Sequence, residues 1–194
     1  DDDDLETNIN QDDQEEGTSD LFELYPWDIP NLQGYIAGIA TSEQFLYIIT
    51  KEGDIIRFQG GKSETLRNLY SLPTNPKNPP SNAPEKLTKI FTDRKGNHAI
   101  IKHGGRMYYF NSGSTSVKEL PALKGIEVYA VGFDESNANP KSTGEILISD
   151  FENRIYSYTI EFEQGKVKDN IQELFQLPGT KDKIYGLQVS LFIL

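Results

Sequence analysis

The sequence contains no cysteine, one methionine, one tryptophan and two histidines in 194 residues. Without cysteine there is no disulfide, no thiolate nucleophile and no Cys-ligated zinc. Two histidines leave too few ligands for a transition-metal site unless carboxylates dominate it. Long apolar runs are missing too. The longest are a few residues, far short of the ~20 that a membrane-spanning helix needs, and residues 1–20 lack the basic start and apolar middle of a signal peptide. Those same twenty residues hold ten acidic side chains and no Lys or Arg, so of the formal net charge of −11 only −1 falls on the remaining 174. A near-neutral body offers no field to attract phosphate backbones or anionic lipid, and the acidic segment repels both. Composition therefore argues against direct nucleic-acid binding and membrane insertion, and suits a cytoplasmic protein.

The segment "DDDDLETNINQDDQEEGTSD" has almost no large apolar side chains with which to offset the entropy of ordering. Residues 1–33 are thus expected to form an acidic, flexible amino-terminal segment. Its carboxylates do not follow the spaced, glycine-supported pattern of a calcium loop. From Gly34 the composition changes to β-branched and aromatic runs of five to eight residues, separated by Gly, Asn, Asp and Pro clusters, which predicts many short strands. The one helical candidate, "SETLRNLYSL", is too brief and runs into "PTNPKNPPSNAP", residues 73–84, whose prolines and asparagines predict an extended surface loop.

Three segments match one another without gaps: "FLYIITKEGDIIRF", "AIIKHGGRMYYF" and "LISDFENRIYSY". Each centres on a residue that tolerates positive φ, namely Gly53, Gly105 and Asn153, which predicts a hairpin turn. Each has the end of a strand four and five positions before it (Ile48-Ile49, Ile100-Ile101, Ile148-Ser149). Each has large apolar groups two, three and five positions after it. The anchors lie 52 and 48 residues apart, near the ~40–50 of a propeller blade. A further strand precedes each hairpin ("YIAGIATS", "LTKIFTD", "VYAVGFD"), and each copy closes on Leu-Pro at Pro73, Pro121 and Pro178. Proline at the end of an outermost strand removes a backbone donor and blunts the edge, so Leu72, Leu120 and Leu177 are expected to end equivalent outer strands.

These observations predict an all-β chain: a partial β-propeller of WD40-like, four-stranded antiparallel blades over residues 34–73, 87–121 and 128–178. A fourth blade would open within 184–194, where "IYGLQVSLFIL" begins at Ile184. Three blades and a fraction do not close a ring, so the chain is expected to be part of a larger propeller. A small antiparallel sandwich is the other architecture, for which the even spacing would be accidental.

The candidates for chemistry all have structural readings. In the ungapped alignment His98 falls with Leu46 and Ile146, a strand position, and His103 precedes Gly104-Gly105 as a solvated turn residue. Asp93 and Asp134 follow the first strand of two copies, where side-chain capping of a tight turn explains them better than an acid pair. Gly60-Gly61 and Gly104-Gly105 have no following helix with which to cradle a phosphate. No catalytic, cofactor-binding or metal-binding set emerges. What remains open is whether polar groups from several blades converge on the propeller axis, as an enzyme or small-ligand binder would require.

From Lys89 onward the chain resembles a known family. The marks are Phe91-x-Asp93-x-x-Gly96-x-His98, Lys124-Gly125, Val131-Gly132, and Ser142-Thr143-Gly144 followed by Ile146-Leu147-Ile148. They are similar to the amino-terminal propeller of the deep orange (Pep-three) subunit of the class C vacuolar protein sorting core, over about residues 34–190. That family often has Trp where Phe133 stands, and Gly-Thr then Gly where Ser149-Asp150 and Asn153 stand. The resemblance implies a role in the HOPS and CORVET complexes, which tether late endosomal, vacuolar or lysosomal and early endosomal membranes before fusion. It implies other class C, HOPS and CORVET subunits as partners, and a peripheral position on late endosome and vacuole or lysosome membranes. It further implies an α-solenoid and a RING-like domain beyond the propeller, neither of which lies in this sequence.

Overall fold

The computed structural model describes residues 34–59, 65–72, 88–113, 116–136, 138–178, 184, 186 and 187. The expectations for residues 1–33, Gly60-Gly61, the 73–84 loop and most of 184–194 lie outside these. The described residues form three four-stranded antiparallel sheets, each with its strands in sequence order. The first blade is β1 (Ile36–Thr41), β2 (Leu46–Thr50), β3 (Asp54–Gln59) and β4 (Thr65–Ser71). The second is β5 (Lys89–Thr92), β6 (His98–His103), β7 (Arg106–Asn111) and β8 (Lys118–Glu119). The third is β9 (Val128–Phe133), β10 (Ser142–Asp150), β11 (Arg154–Glu163) and β12 (Lys166–Gln176). The short segment considered above for a helix is the edge strand β4.

The blades pack face to face. Tyr47, Ile49, Ile55 and Leu72 of the first meet Ile90, Ala99, Ile101, Tyr108 and Phe110 of the second. On its opposite face the second offers Ile100, Met107 and Tyr109, with Leu120 and Leu123 just beyond β8, to Ile146, Ile148, Tyr156, Tyr158 and Ile160 of the third. A sheet covered on both faces has no solvent side. This is why Met107 to Phe110 of β7 are all buried and form an uninterrupted apolar run rather than an alternation. Each fully buried large apolar side chain contributes about 1.5–3 kcal/mol.

The three hairpins are not identical. Gly53 (φ 92°) and Asn153 (φ 62°) close three-residue loops, with the Gly53 amide donating to the Thr50 carbonyl at 3.0 Å and the Asn153 amide to the Asp150 carbonyl at 3.2 Å. This is a type I turn completed by one left-handed residue. In the second blade His103 pairs directly with Arg106, so Gly104 (φ 57°) and Gly105 (φ 78°) form a two-residue loop with both residues left-handed. One residue fewer in the turn shifts β6 by one against the other copies. Phe58 lies opposite Leu46, Tyr158 opposite Ile146, and Phe110 opposite Ala99. The structural counterparts of Leu46 and Ile146 are therefore Ala99 rather than His98, and the ungapped match fails upstream of the turn. Downstream it holds.

The closing leucines also divide. The Leu72 amide donates to the Gly53 carbonyl and the Leu177 amide to the Asn153 carbonyl, which are equivalent positions, but the Leu120 amide donates to the Met107 carbonyl, two residues further along β7. The cause is the shortness of β8. It has two residues and none of the irregularity that displaces β4 and β12 opposite the start of β3 and β11. Leu120 then enters the core between the second and third blades, and Pro121–Leu123 form a 3-10 turn.

Gly53 is required twice over. Its φ of 92° disfavours any side chain, and a Cβ there would stand 3.1 Å from the Leu72 Cβ and 3.3 Å from His103 Nε2. Gly53→Ala should cost roughly 1–2 kcal/mol from backbone strain, plus the crowding against Leu72. Gly165→Ala, at φ 75° with nothing within 4 Å, carries strain alone. Urea denaturation should give a larger fall in midpoint for the first than for the second, and equal falls would show that the crowding at Gly53 is unimportant.

Candidate functional site

Polar side chains bridge neighbouring blades at the turns that follow the first strand of each blade and in the interior between the second and third blades. By strand register, Thr41, Thr92 and Phe133 are equivalent, lying opposite Leu46, Ala99 and Ile146. The next two positions are then Ser42-Glu43, Asp93-Arg94 and Asp134-Glu135. The second of each pair joins three blades in an alternation of charge. Arg94 Nε sits 2.6 Å from Glu43 Oε1, the Glu43 amide donates to the Arg94 carbonyl at 2.8 Å, and the Arg94 amide donates to Glu135 Oε1. The Arg94–Glu43 ion pair is exposed, with side chains 75% and 48% accessible, so its attraction is screened and its main effect is to orient the turns.

Asp93 and Asp134 behave as turn caps. Asp93 Oδ1 accepts the His98 amide at 2.7 Å and Asp134 Oδ1 accepts the Ser136 amide at 2.9 Å. The bonds from Ser136 hold the Asp134 carboxyl below its ordinary range. Between these turns lies a groove of about 470 Å³ lined by Thr92, Arg94, Val131, Gly132, Phe133, Glu135 and Leu187. Polar groups from neighbouring blades thus meet beside this groove, but they are engaged with one another, and Val131, Phe133 and Leu187 make much of the wall. A Cβ on Gly132 would stand 2.8 Å from the Leu187 carbonyl oxygen, so glycine lets that segment close on β9.

His98 is almost completely buried, at 1% accessibility. Its Nε2 lies 2.8 Å from the Asn139 carbonyl oxygen, which can only accept, so the ring proton is on Nε2 and the bare Nδ1 accepts the Tyr109 hydroxyl at 2.7 Å. Asn111 Nδ2 donates to the Tyr109 hydroxyl oxygen at 3.2 Å and to the Pro140 carbonyl at 2.8 Å. Burial lowers the His98 pKa, opposed by its bond to Asn139 and the charges of Asp93 and Glu135. Burial likewise pushes the Tyr109 hydroxyl up to about 12, against the opposing effect of the Asn111 hydrogen bond. This network is what the sequence reading missed. The loop between β9 and β10 is tied at Asn139 and Pro140, and an Asn139–Ser142 bridge closes it on itself.

His103 is also placed differently from the expectation of a solvated turn residue. It is half-buried, its Nδ1 is 3.0 Å from Thr88 Oγ1, and its ring leans on the space left by Gly53. Burial lowers its pKa. Gly104-Gly105 serve the hairpin alone.

In the third blade, Asp150 organises the β10–β11 turn. Its Oδ1 accepts the amides of Glu152 and Arg154 at 2.8 and 2.9 Å, and its Oδ2 accepts Arg154 Nε at 2.6 Å and the Tyr156 hydroxyl at 3.0 Å. Burial by itself would raise this carboxyl, but those four bonds, led by Arg154, hold it below its ordinary range. Farther out, Asp169 Oδ2 accepts both the Tyr158 hydroxyl at 2.9 Å and the Ala122 amide at 3.1 Å, fastening the 3-10 turn after the second blade to β12 of the third. Among the described residues no buried side-chain nitrogen or oxygen lacks a partner, and no group of three His, Cys, Asp or Glu is placed to hold a metal ion. No helix among them is long and apolar enough to cross a membrane.

A family model for the Pep3/Vps18/deep orange beta-propeller domain matches residues 22–193. The Arabidopsis thaliana protein named vacuolar sorting protein 18 is 24% identical over 175 residues, which cover 88% of this chain and 17% of that protein. Among solved structures, the WD40 domain of SCAP from fission yeast superposes with a TM-score of 0.52 at 14% identity, covering 78% of this chain and 36% of that one. The Neurospora crassa Pan2 WD40 domain gives a TM-score of 0.42 at 19% identity, covering 81% and 42%. The SCAP likeness establishes a WD40-like propeller architecture.

The Asp150 cluster generates a pH prediction. A carboxylate held below its ordinary range contributes stability that is whole above the ordinary value of 3.8 and is lost as pH falls through the lowered one. Asp150→Asn should destabilise the chain by about 1–3 kcal/mol at neutral pH, because Arg154 and Tyr156 lose their acceptor. It should also flatten the loss of stability below pH ~4. Urea titrations at several pH values measure both, and unchanged acid sensitivity would place the titrating group elsewhere.

Proposed function

Because the chain belongs to the Pep3/Vps18/deep orange β-propeller family, we propose that it is a non-catalytic interaction propeller of a vacuolar sorting complex, the endolysosomal and vacuolar tethering assemblies HOPS and CORVET. In that role it supports vesicle docking and fusion and vacuolar protein sorting through contacts with the other class C, HOPS and CORVET subunits. It works in the cytoplasm, peripheral on late endosome and vacuole or lysosome membranes. The observation that carries the reading is the family match over residues 22–193, and the likeness to a vacuolar sorting protein supports it.

The side-chain chemistry is in keeping with a scaffold. A catalytic acid or base needs an unengaged titratable group within reach of a substrate. Here the His98 ring has both nitrogens committed within the core, Arg94, Glu43 and Glu135 hold neighbouring turns together, and Asp93, Asp134 and Asp150 cap turns. The same side chains that would draw attention in an enzyme are used here to fix blade against blade.

Recruitment to membranes is then a task for partner proteins. The chain beyond its first twenty residues is nearly neutral and those twenty are strongly acidic, so attraction to anionic lipid is weak. On anionic-lipid vesicles at about 0.15 M ionic strength, the isolated chain should stay at the bottom of a flotation gradient and should rise with the vesicles only when the remaining subunits are added. Strong, salt-sensitive flotation of the chain alone would show a direct membrane contact and overturn the adaptor reading.

A further inference from the structure

The loop between β9 and β10 is fastened to the second blade through two carbonyl groups, that of Asn139 held by the His98 ring itself and that of Pro140 held by Asn111, which the ring reaches through Tyr109. We propose that His98 is a proton-operated latch on this loop: neutral, it holds Asn139 and Pro140 against the second blade, and on taking up one proton it releases the Pro140 fastening. The inference does not depend on the proposed function.

The direction of every hydrogen bond in the neutral state is fixed by chemistry. The Asn139 and Pro140 carbonyls only accept, so His98 Nε2 and Asn111 Nδ2 donate to them, at 2.8 Å each. A neutral imidazole with its proton on Nε2 accepts at Nδ1, which takes the Tyr109 hydroxyl proton at 2.7 Å. The hydroxyl oxygen accepts from Asn111 Nδ2 at 3.2 Å, and Asn111 Oδ1 accepts the Gly113 amide at 2.9 Å. The circuit is satisfied in one sense only.

Adding a proton at Nδ1 reverses one bond. The imidazolium Nδ1–H now donates to the Tyr109 oxygen, and the hydroxyl proton must find another acceptor in an interior where an unmet donor costs on the order of 1–3 kcal/mol. Its other neighbour in the network is the Asn111 amide, which presents Nδ2–H. Rotating that amide by half a turn offers Oδ1 to the hydroxyl and satisfies it. The same rotation withdraws Nδ2–H from the Pro140 carbonyl, and the Gly113 amide loses its acceptor. One proton is thereby exchanged for one loop contact.

The charged and titratable groups around the ring set how readily this happens. From the β5–β6 turn, Asp93 accepts the His98 amide through Oδ1. Glu135, on the loop itself, is engaged with the Arg94 amide. Both carboxylates favour the imidazolium, while burial opposes it and outweighs them. On β7, Tyr109 stacks on the ring at 5.9 Å between centroids and 22° between planes, and its hydroxyl stays protonated because burial raises it to about 12. Since burial lowers the His98 pKa, the latch stays closed at the ordinary value of about 6.5 and opens only as pH falls through the lowered one.

The test uses the whole chain at pH 7.5 and at pH 5. Nitrogen-15 spectra of the imidazole at pH 7.5 should show the proton on Nε2. Amide exchange at Asn139 and Ser142, which bond to each other's carbonyls, should quicken about tenfold at the lower pH after correction for the intrinsic rate, while amides of β2 and β10 do not. His98→Gln can donate to Asn139 and accept from Tyr109 but cannot take up a proton, so it should keep the loop protected at both pH values. A proton on Nδ1 at pH 7.5, an unchanged exchange rate in the unsubstituted chain, or pH-dependent release that survives His98→Gln would each overturn the latch. The first two readouts decide the matter even if the variant does not fold.

Discussion

Every sheet in this molecule that has a neighbour on each side must bury both of its faces. That single requirement accounts for most of what the sequence looks like. The second blade gives Ala99, Ile101, Tyr108 and Phe110 to one side and Ile100, Met107, Tyr109 and Leu120 to the other. Its inner hairpin therefore cannot alternate apolar with polar residues. Polar groups that do enter, such as His98 and Asn111, must bring their own hydrogen-bond partners, since an unmet donor or acceptor there costs more than a typical hydrogen bond returns. The networks around His98, Asp150 and Asp169 are the result, and those of His98 and Asp169 join the second blade to the third.

The same requirement explains which features the sequence made legible. Strand count, hairpin positions and the three-fold repetition were readable because Gly53, Gly105 and Asn153 must take positive φ and because the surrounding runs are too short and too β-branched for helices. Register was not readable. In a half-exposed strand a slip of one residue would move a polar side chain inward and betray itself. In β6 positions 99–101 are all buried and apolar, so the run fits either register, and only the count of turn residues separates them. The two-residue loop at Gly104-Gly105 was visible as a glycine pair, but the sequence offered no signal that one residue had been removed relative to the other copies.

The candidate site was less legible for a related reason. His98 and Asn139 are 41 positions apart and Asn111 and Pro140 are 29 apart, and nothing local marks them as partners. Asp93 and Asp134 could be recognised as turn caps because an Asx cap is a local motif. The alternation of Glu43, Arg94 and Glu135 could be found only after the strands were aligned by register, which brings the three turns into correspondence. The shortness of β8 shows in the sequence only as a distance, 15 positions from Gly105 to Leu120 against 19 from Gly53 to Leu72 and 24 from Asn153 to Leu177, since Leu-Pro ends all three copies alike.

The unequal turns bear on how this architecture can be copied. A consensus blade built by averaging the three ungapped repeats would set Ile100 in one column with Ile48 and Ile148. Yet Ile148 packs toward the second blade from the third, whereas Ile100 packs from the second toward the third, so the column mixes the leading face of a blade with its trailing face. Such an averaged repeat would contain plausible residues at every position and still fail to stack on itself. Only a template that carries the one-residue gap at Gly104-Gly105 keeps the two faces distinct, and an engineered tandem array would have to choose one turn length and hold to it.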